Sequence, residues 1–158
     1  AYNNVFGIPY TIVRPSALYG ERCVSRRVGQ VFIENAVQGN KINIKGNGSE
    51  RLDFTYIDDL VEGIVLILEN DNSKMETFNL TYGKSHSINH MLEILRKSFD
   101  KVDITYSQKD KFTPDRGTLS VDKARELIGY APKHHLDLGY KKYIEWYKEF
   151  WKSLEKSS

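Results

Sequence analysis

Three arginines crowd one short stretch, "ERCVSRR", just ahead of a periodic apolar run. In that run Val28, Val31, Phe32 and Val37 fall roughly on one face, which predicts a helix over residues 26–38 closed by Gly39. A helix start presents N–H groups without intrahelical partners and the positive end of the dipole, so it attracts phosphate. Arg22, Arg26 and Arg27 add charge at that point. The chemistry on offer is the holding of a small anion.

Other reactive side chains offer less. His86 and His90 are four apart and His134 and His135 are adjacent, but no carboxylate or cysteine completes a metal set at credible spacing, so no metal is expected. Cys23 is the only cysteine, which excludes an internal disulfide and points to a reducing compartment, here the cytoplasm. With no helix start or histidine beside it, its thiol reads as inert. Asp53 and Asp58 read as structural, through turn bonding and helix capping.

The elements that must position these residues alternate. A strand is predicted over Tyr10–Arg14, entered through "GIP" and stopped at Pro15. "KINIKGNG" reads as a short strand and a glycine turn, and "LDFTYI" as another strand. Asp58 or Asp59 is expected to cap a helix through Leu68. A strand at Thr77–Leu80 and a helix from Ser87 to about Phe99 follow, then a strand near Val102–Tyr106 and a polar loop over Ser107–Thr118. A helix near Val121–Ile128 stops at Gly129. The last helix, about Asp137–Leu154, carries Tyr140, Tyr143, Ile144, Tyr147, Phe150, Trp151 and Leu154 at three- and four-residue steps, a packing stripe. This alternation predicts an α/β domain.

The 158 residues suffice for one domain with a real core, and 40% hydrophobic against 28% charged residues reads as globular and soluble. No apolar run approaches a membrane span. A net charge of +2, with Lys and Glu mixed through the last third, does not suit a nucleic-acid binder, which gathers its cations on one face.

Three motifs then line up in order. "GIPYTIVRPSALYGER" resembles the Arg-Pro-x-Asn-x-Tyr-Gly loop of the extended short-chain dehydrogenase/reductases, the NAD-dependent epimerase/dehydratase family. "KINIKGNGSERLDFTYIDDLVEGI" is similar to their strand, Gly-x-Gly turn and Arg-Asp-Phe block, and "DKARELIGYAP" to their late Lys-Ala-x-x-x-Leu-Gly-Tyr-x-Pro signature. The resemblance spans nearly all of the chain but only the C-terminal portion of the family pattern. The family's Gly-x-x-Gly-x-x-Gly loop and catalytic Tyr-x-x-x-Lys pair have no match here, so no catalytic residue is expected in this chain.

The resemblance implies a C-terminal part of a Rossmann-type fold with a small α/β substrate-binding subdomain, residues 1–158 forming one unit and 1–25 the tail of the Rossmann sheet region. It implies that the N-terminal cofactor-binding half is absent and that "AYNNVF" is the end of the Tyr-Lys helix. Pro15 and Ser16 would touch the nicotinamide end of NAD or NADP. The family's Asn, which binds the sugar nucleotide, falls at Ala17. Further sugar-nucleotide contacts fall at Arg27 and Val28, and base contacts at Asn43 and Lys45. The phosphate-binding arginines are expected at Arg51, one position early against the family pattern, and at Arg116, the nearest arginine to the family position near Asp110.

The implied function is the nucleoside diphosphate sugar side of an NAD(P)-dependent nucleotide-sugar epimerase or dehydratase, inactive by itself. The alternative is a non-catalytic nucleotide-sugar binding or assembly fragment. A strand such as Tyr10–Arg14 without its neighbour exposes an edge, so a homo-oligomer or a complementary N-terminal fragment is the expected partner.

Overall fold

The computed structural model describes residues 1–109, 114 and 116–156. Helix α1 (Tyr2–Phe6) ends at Gly7, whose φ of 66° only glycine adopts freely, and leads into β1 (Ile12–Arg14) and β2 (Leu18–Tyr19). There follow α2 (Val28–Val37), β3 (Ile42–Lys45), β4 (Arg51–Leu52), β5 (Thr55–Tyr56) and α3 (Ile57–Glu69). The chain continues through β6 (Thr77–Asn79), β7 (His86–Ser87), α4 (Ile88–Ser98), β8 (Ile104–Ser107), α5 (Asp122–Ile128) and α6 (Leu136–Glu155).

The architecture is mixed α/β. Strand β1 runs parallel to β6, β2 to β5 and β3 to β8, each pair joined through intervening helices, while β4 and β7 pair antiparallel. Parallel pairs need crossovers of this kind, which is why the apolar strands alternate with amphipathic runs. In β3 the alternation is clean: Ile42 and Ile44 point inward, Asn43 and Lys45 outward.

Two apolar clusters hold the elements. In the larger, α2 (Phe32, Ile33), α4 (Met91, Leu95) and α6 (Tyr140, Ile144) close over β3. In the smaller, α3 and α5 pack on Phe78 and Leu80 of the β6 segment, with Tyr130 buried beside them. Each such side chain contributes about 1.5–3 kcal/mol through burial. The stripe on α6 is a packing stripe at Tyr140, Tyr143, Ile144 and Tyr147, all buried, but Phe150 stays 40% exposed at its far end.

Ser87 caps α4 by accepting from the His90 backbone N–H at 3.1 Å, and Gly129 (φ 70°) ends α5, both as expected. Elsewhere the fold differs. "LDFTYI" is not one strand. It breaks at Asp53, whose buried carboxylate accepts from Thr81 Oγ1 (2.9 Å), Gly83 N (3.1 Å) and Leu119 N (3.1 Å), so β4 and β5 diverge to separate partners. Neither Asp58 nor Asp59 caps α3; Tyr56 occupies that position and both aspartates lie in the first turn. Asp59 is turned inward instead, accepting from the Lys133 and His134 N–H groups at 3.0 Å each. Asp58 pairs with Lys142 at 3.0 Å. Strand β1 is shorter than Tyr10–Arg14, and α2 begins at Val28 rather than Arg26. Of the polar loop after β8, Asp110 and Lys111 lie outside the described residues.

Candidate functional site

The three arginines do not converge. Arg22 and Arg26 adopt φ values of 59° and 44°, so the backbone swivels between successive side chains. Arg26 folds back onto Glu34 at 2.8 Å. Burial works against that carboxylate, but hydrogen bonds from Gln30, Arg26 and Tyr147 hold it below the usual range. Arg22 lines a hollow against α6. Only Arg27 remains at the start of α2. It occupies the N-cap position, where no side chain caps the first turn, and its Nε donates to Ser25 Oγ at 3.1 Å. The loop is anchored from below by the Tyr56 hydroxyl, which donates to Glu21 at 2.5 Å.

Arg27 and Val28 line a cleft with Ala17, Leu52, Phe54 and Arg116. Val28 also lines a second hollow with Asn43, Lys45 and Glu50. Leu52 and Arg116 continue into a third, of ≈ 420 Å³, lined also by Arg51 and Lys109. The shared walls make the three hollows one groove. It gathers Ala17, Arg27, Val28, Asn43, Lys45, Arg51 and Arg116, seven of the nine positions expected from sequence.

Arg51 reaches the groove although it stands one position early. As part of β4 it is exposed, and its guanidinium donates to Ser85 Oγ at 3.1 Å and to the Ser85 carbonyl. Two of its five donors are thereby committed to holding it in place. Lys109 lies 3.4 Å from Glu50, the acidic side chain in the groove wall. With Arg27, Arg51, Arg116 and Lys45 around an apolar floor, the groove suits an elongated anion carrying a flat or apolar end.

Pro15 and Ser16 stand apart. They follow the C-terminal end of β1 and line none of the three hollows. Ala17, between them and the groove, holds φ 35°, a conformation that costs a non-glycine residue of order 1–3 kcal/mol. Its carbonyl accepts from Thr55 N at 3.4 Å, which ties it to β5.

Several groove residues carry no sequence signal. Phe54 and Met91 are ordinary core residues, and Ser85 lies 34 positions from the Arg51 it holds. Gly29 does carry one, a glycine inside a helix. A Cβ there would come within 3.2 Å of the Tyr140 ring, and the Tyr140 hydroxyl donates to its carbonyl at 2.8 Å. Among the described residues no group of three or more His, Cys, Asp or Glu is placed to hold a metal, and no helix is long and apolar enough to cross a membrane.

The family model for the NAD-dependent epimerase/dehydratase family matches residues 1–81. The chain belongs to that family. A putative UDP-glucose 4-epimerase of Methanocaldococcus jannaschii is 30% identical over 151 residues, 93% of this chain and 48% of that protein. Among solved structures, an epimerase of Methanothermobacter thermautotrophicus superimposes with a TM-score of 0.90 at 26% identity, over 99% of this chain and 48% of that one. The UDP-glucuronic acid 4-epimerase of Bacillus cereus, solved with UDP-glucuronic acid and NAD, superimposes at 0.86 with 27% identity over 94% of this chain and 48% of that one. The chain thus spans about half the length of the epimerase/dehydratase relatives it matches, and its fold corresponds to their C-terminal half.

Proposed function

We propose that this chain is the sugar-nucleotide side of an NAD(P)-dependent nucleotide-sugar epimerase or dehydratase. The observation that carries the reading is the cationic groove itself, which unites Arg27, Arg51 and Arg116 with Asn43 and Lys45 along one apolar floor. Relatives of the same family act on or bind uridine diphosphate sugars, which supports a nucleoside diphosphate sugar as the occupant. Arg27, the N–H groups of the first turn of α2, Arg51 and Arg116 would hold the diphosphate. Asn43 and Lys45 would hydrogen-bond the base, and Ala17 and Val28 would bound the sugar.

Pro15 and Ser16 lie just past the C-terminal end of a parallel strand, where ligands of open α/β sheets collect, and Pro15 is exposed. That placement fits the edge of a nicotinamide ring but offers no cradle for a dinucleotide's phosphates, so residues 1–25 are read as the tail of a Rossmann sheet region whose dinucleotide-binding part is not in this chain. NAD(P), where bound, supplies reversible hydride abstraction from the sugar. This chain's part is to orient the sugar nucleotide; it has no proton-transferring Tyr-x-x-x-Lys pair and turns over nothing alone. Its single cysteine suits the reducing cytoplasm.

The second reading, an assembly fragment completed by a partner, has its own observation. Among the described residues β1 pairs only with β6, and Tyr2, Val5, Phe6, Ile8 and Ile12, in the strand or in the segment before it, are 45–72% exposed. An open edge with apolar flanks favours a complementary fragment or a second copy.

Thermal shifts with uridine, thymidine, cytidine and guanosine diphosphate sugars test the binding role. One of them at about 100 times its Kd should raise Tm by about 5–10 °C, following about 2.7 kcal/mol of linkage. Arg116→Ala should remove that shift while leaving the ligand-free Tm within about 1 °C. No shift with any sugar nucleotide contradicts the reading.

A further inference from the structure

Ser85 lies between two arginines of the groove that come from distant parts of the chain. It is buried, 6% exposed, in the turn that joins β6 to β7. On one side its Oγ accepts from Arg51 Nε at 3.1 Å, and its carbonyl accepts from Arg51 Nη2. On the other side its N–H donates to Thr118 Oγ1 at 2.9 Å, across 33 positions. Thr118 follows closely after Arg116, and Arg51 and Arg116 line the same hollow. One residue therefore bonds both to the first arginine and to the segment that carries the second.

The surroundings of Ser85 are themselves fixed. The buried Asp53 carboxylate accepts from Thr81 Oγ1, Gly83 N and Leu119 N, which joins the turn before Ser85 to the residue after Thr118. Asn79 Nδ2 continues that seam by donating to the Ser120 carbonyl at 2.9 Å. Arg51, in contrast, is exposed. Its bonds to Ser85 replace bonds to water, so they add little to the stability of the fold. They change the readiness of the side chain instead. With Nε and one Nη2 hydrogen committed, the neighbouring hydrogens of Nη1 and Nη2 remain, and that pair takes a phosphate in bidentate fashion. The rotamer freedom of Arg51 is given up before a ligand arrives rather than on binding.

We propose that Ser85 is a positioning residue that sets the spacing of Arg51 and Arg116, and that this spacing makes the groove select two linked phosphates over one. The proposal rests on the reading of the groove as a sugar-nucleotide site. An arginine on β4 and another on the loop after β8 would otherwise move independently. Tied to one buried residue, they stand at a set separation, so a diphosphate meets both and a monophosphate meets one.

The ratio of the dissociation constants of uridine monophosphate and uridine diphosphate, from equilibrium titrations of the full chain, reads that spacing. Ser85→Ala should lower the preference for the diphosphate at least about fivefold, and Ser85→Thr, which keeps the hydroxyl, should restore most of it. A role in folding alone would weaken both ligands alike and leave the ratio where it was. In an Arg51→Gln background Ser85→Ala should move the ratio by less than about 1.5-fold, because the partner of the hydroxyl is already gone. Thr118 is exposed, so Thr118→Val tests the other arm even if Ser85→Ala fails to fold; it should lower the preference about threefold, and Thr118→Ser should not. A ratio unchanged in either folded variant, while the diphosphate still binds the unaltered chain, overturns the role of Ser85 and leaves the reading of the groove standing. Absence of saturable diphosphate binding to the unaltered chain overturns both.

Discussion

Arg26 and Arg27 are neighbours with different tasks: one closes an ion pair with Glu34, and the other stands at the open start of α2. Their difference comes from a backbone turn at Arg26 that no side-chain pattern announces. The helix-start argument does not tell Arg26 from Arg27; the family resemblance singles out Arg27 and Val28, and both line the groove. Asn43 and Lys45 come from the family resemblance alone; the alternation of β3 accounts for their outward placement. Arg51 lines the groove held by Ser85, a contact across 34 positions that no local pattern announces. Ala17 stands at φ 35° where the family carries Asn, a residue that tolerates left-handed backbone better than alanine. Ala17→Asn should raise Tm, through a gain of about 0.5–1 kcal/mol, and Ala17→Gly should do the same if backbone strain is the cause. Calorimetric melts of the three proteins check this, and a lower Tm for both variants contradicts it.

Helices α2 to α6 were readable from apolar periodicity, and their ends from Ser87 and Gly129. Strands β4 and β5 were read as one strand over "LDFTYI", and β2 and β7 were not read, because two residues are too few to show alternation; tertiary pairing alone defines them. One of them creates a titrating device. His86 in β7 pairs with Leu52 of β4, beside Arg51, and its Nδ1 lies 2.9 Å from His90 Nδ1. One ring nitrogen must donate and the other accept, so the two imidazoles cannot both be charged. His90 Nε2 in turn lies 3.0 Å from Asp137. Burial first, then His90 and Lys84, hold His86 below the ordinary imidazole value. The unfolded chain consequently binds a proton below about pH 6.5 that the folded His86 refuses, and the stability held above that pH is lost as pH falls. Burial works against Asp137, yet its bond with His90 keeps it below the carboxylate range, so its share is lost only in more acid solution. The urea midpoint should fall as the pH drops below about 6.5, and His86→Gln should flatten that slope. An equal slope in the variant contradicts the assignment.

At the scale of the whole molecule, one side is finished and the other is not. The groove side is closed by α2, α4 and α6 around a continuous core. Toward β1, apolar side chains remain outside: Tyr2, Phe6 and Ile12 near the strand, and Val61, Val65 and Leu68 along α3, the last 79% exposed. The α/β alternation and the open strand edge were legible from sequence; the exposed face of α3 was not, since periodicity shows that a stripe is apolar and not what covers it. Exposed apolar side chains that cluster favour association. Sedimentation should show concentration-dependent self-association of the chain, and Leu68→Lys with Val65→Glu should shift it toward monomer. A monomer across the accessible range contradicts the account of that face.

The groove is the claim on which the functional reading rests. Amide chemical shifts of the isotopically labelled chain, followed while uridine diphosphate is added, locate binding directly. Saturable shifts should concentrate at Arg27–Gly29, Asn43–Lys45, Arg51–Leu52 and Arg116. No saturable shifts, or shifts confined to α1 and α3, would show that this groove does not hold a nucleoside diphosphate.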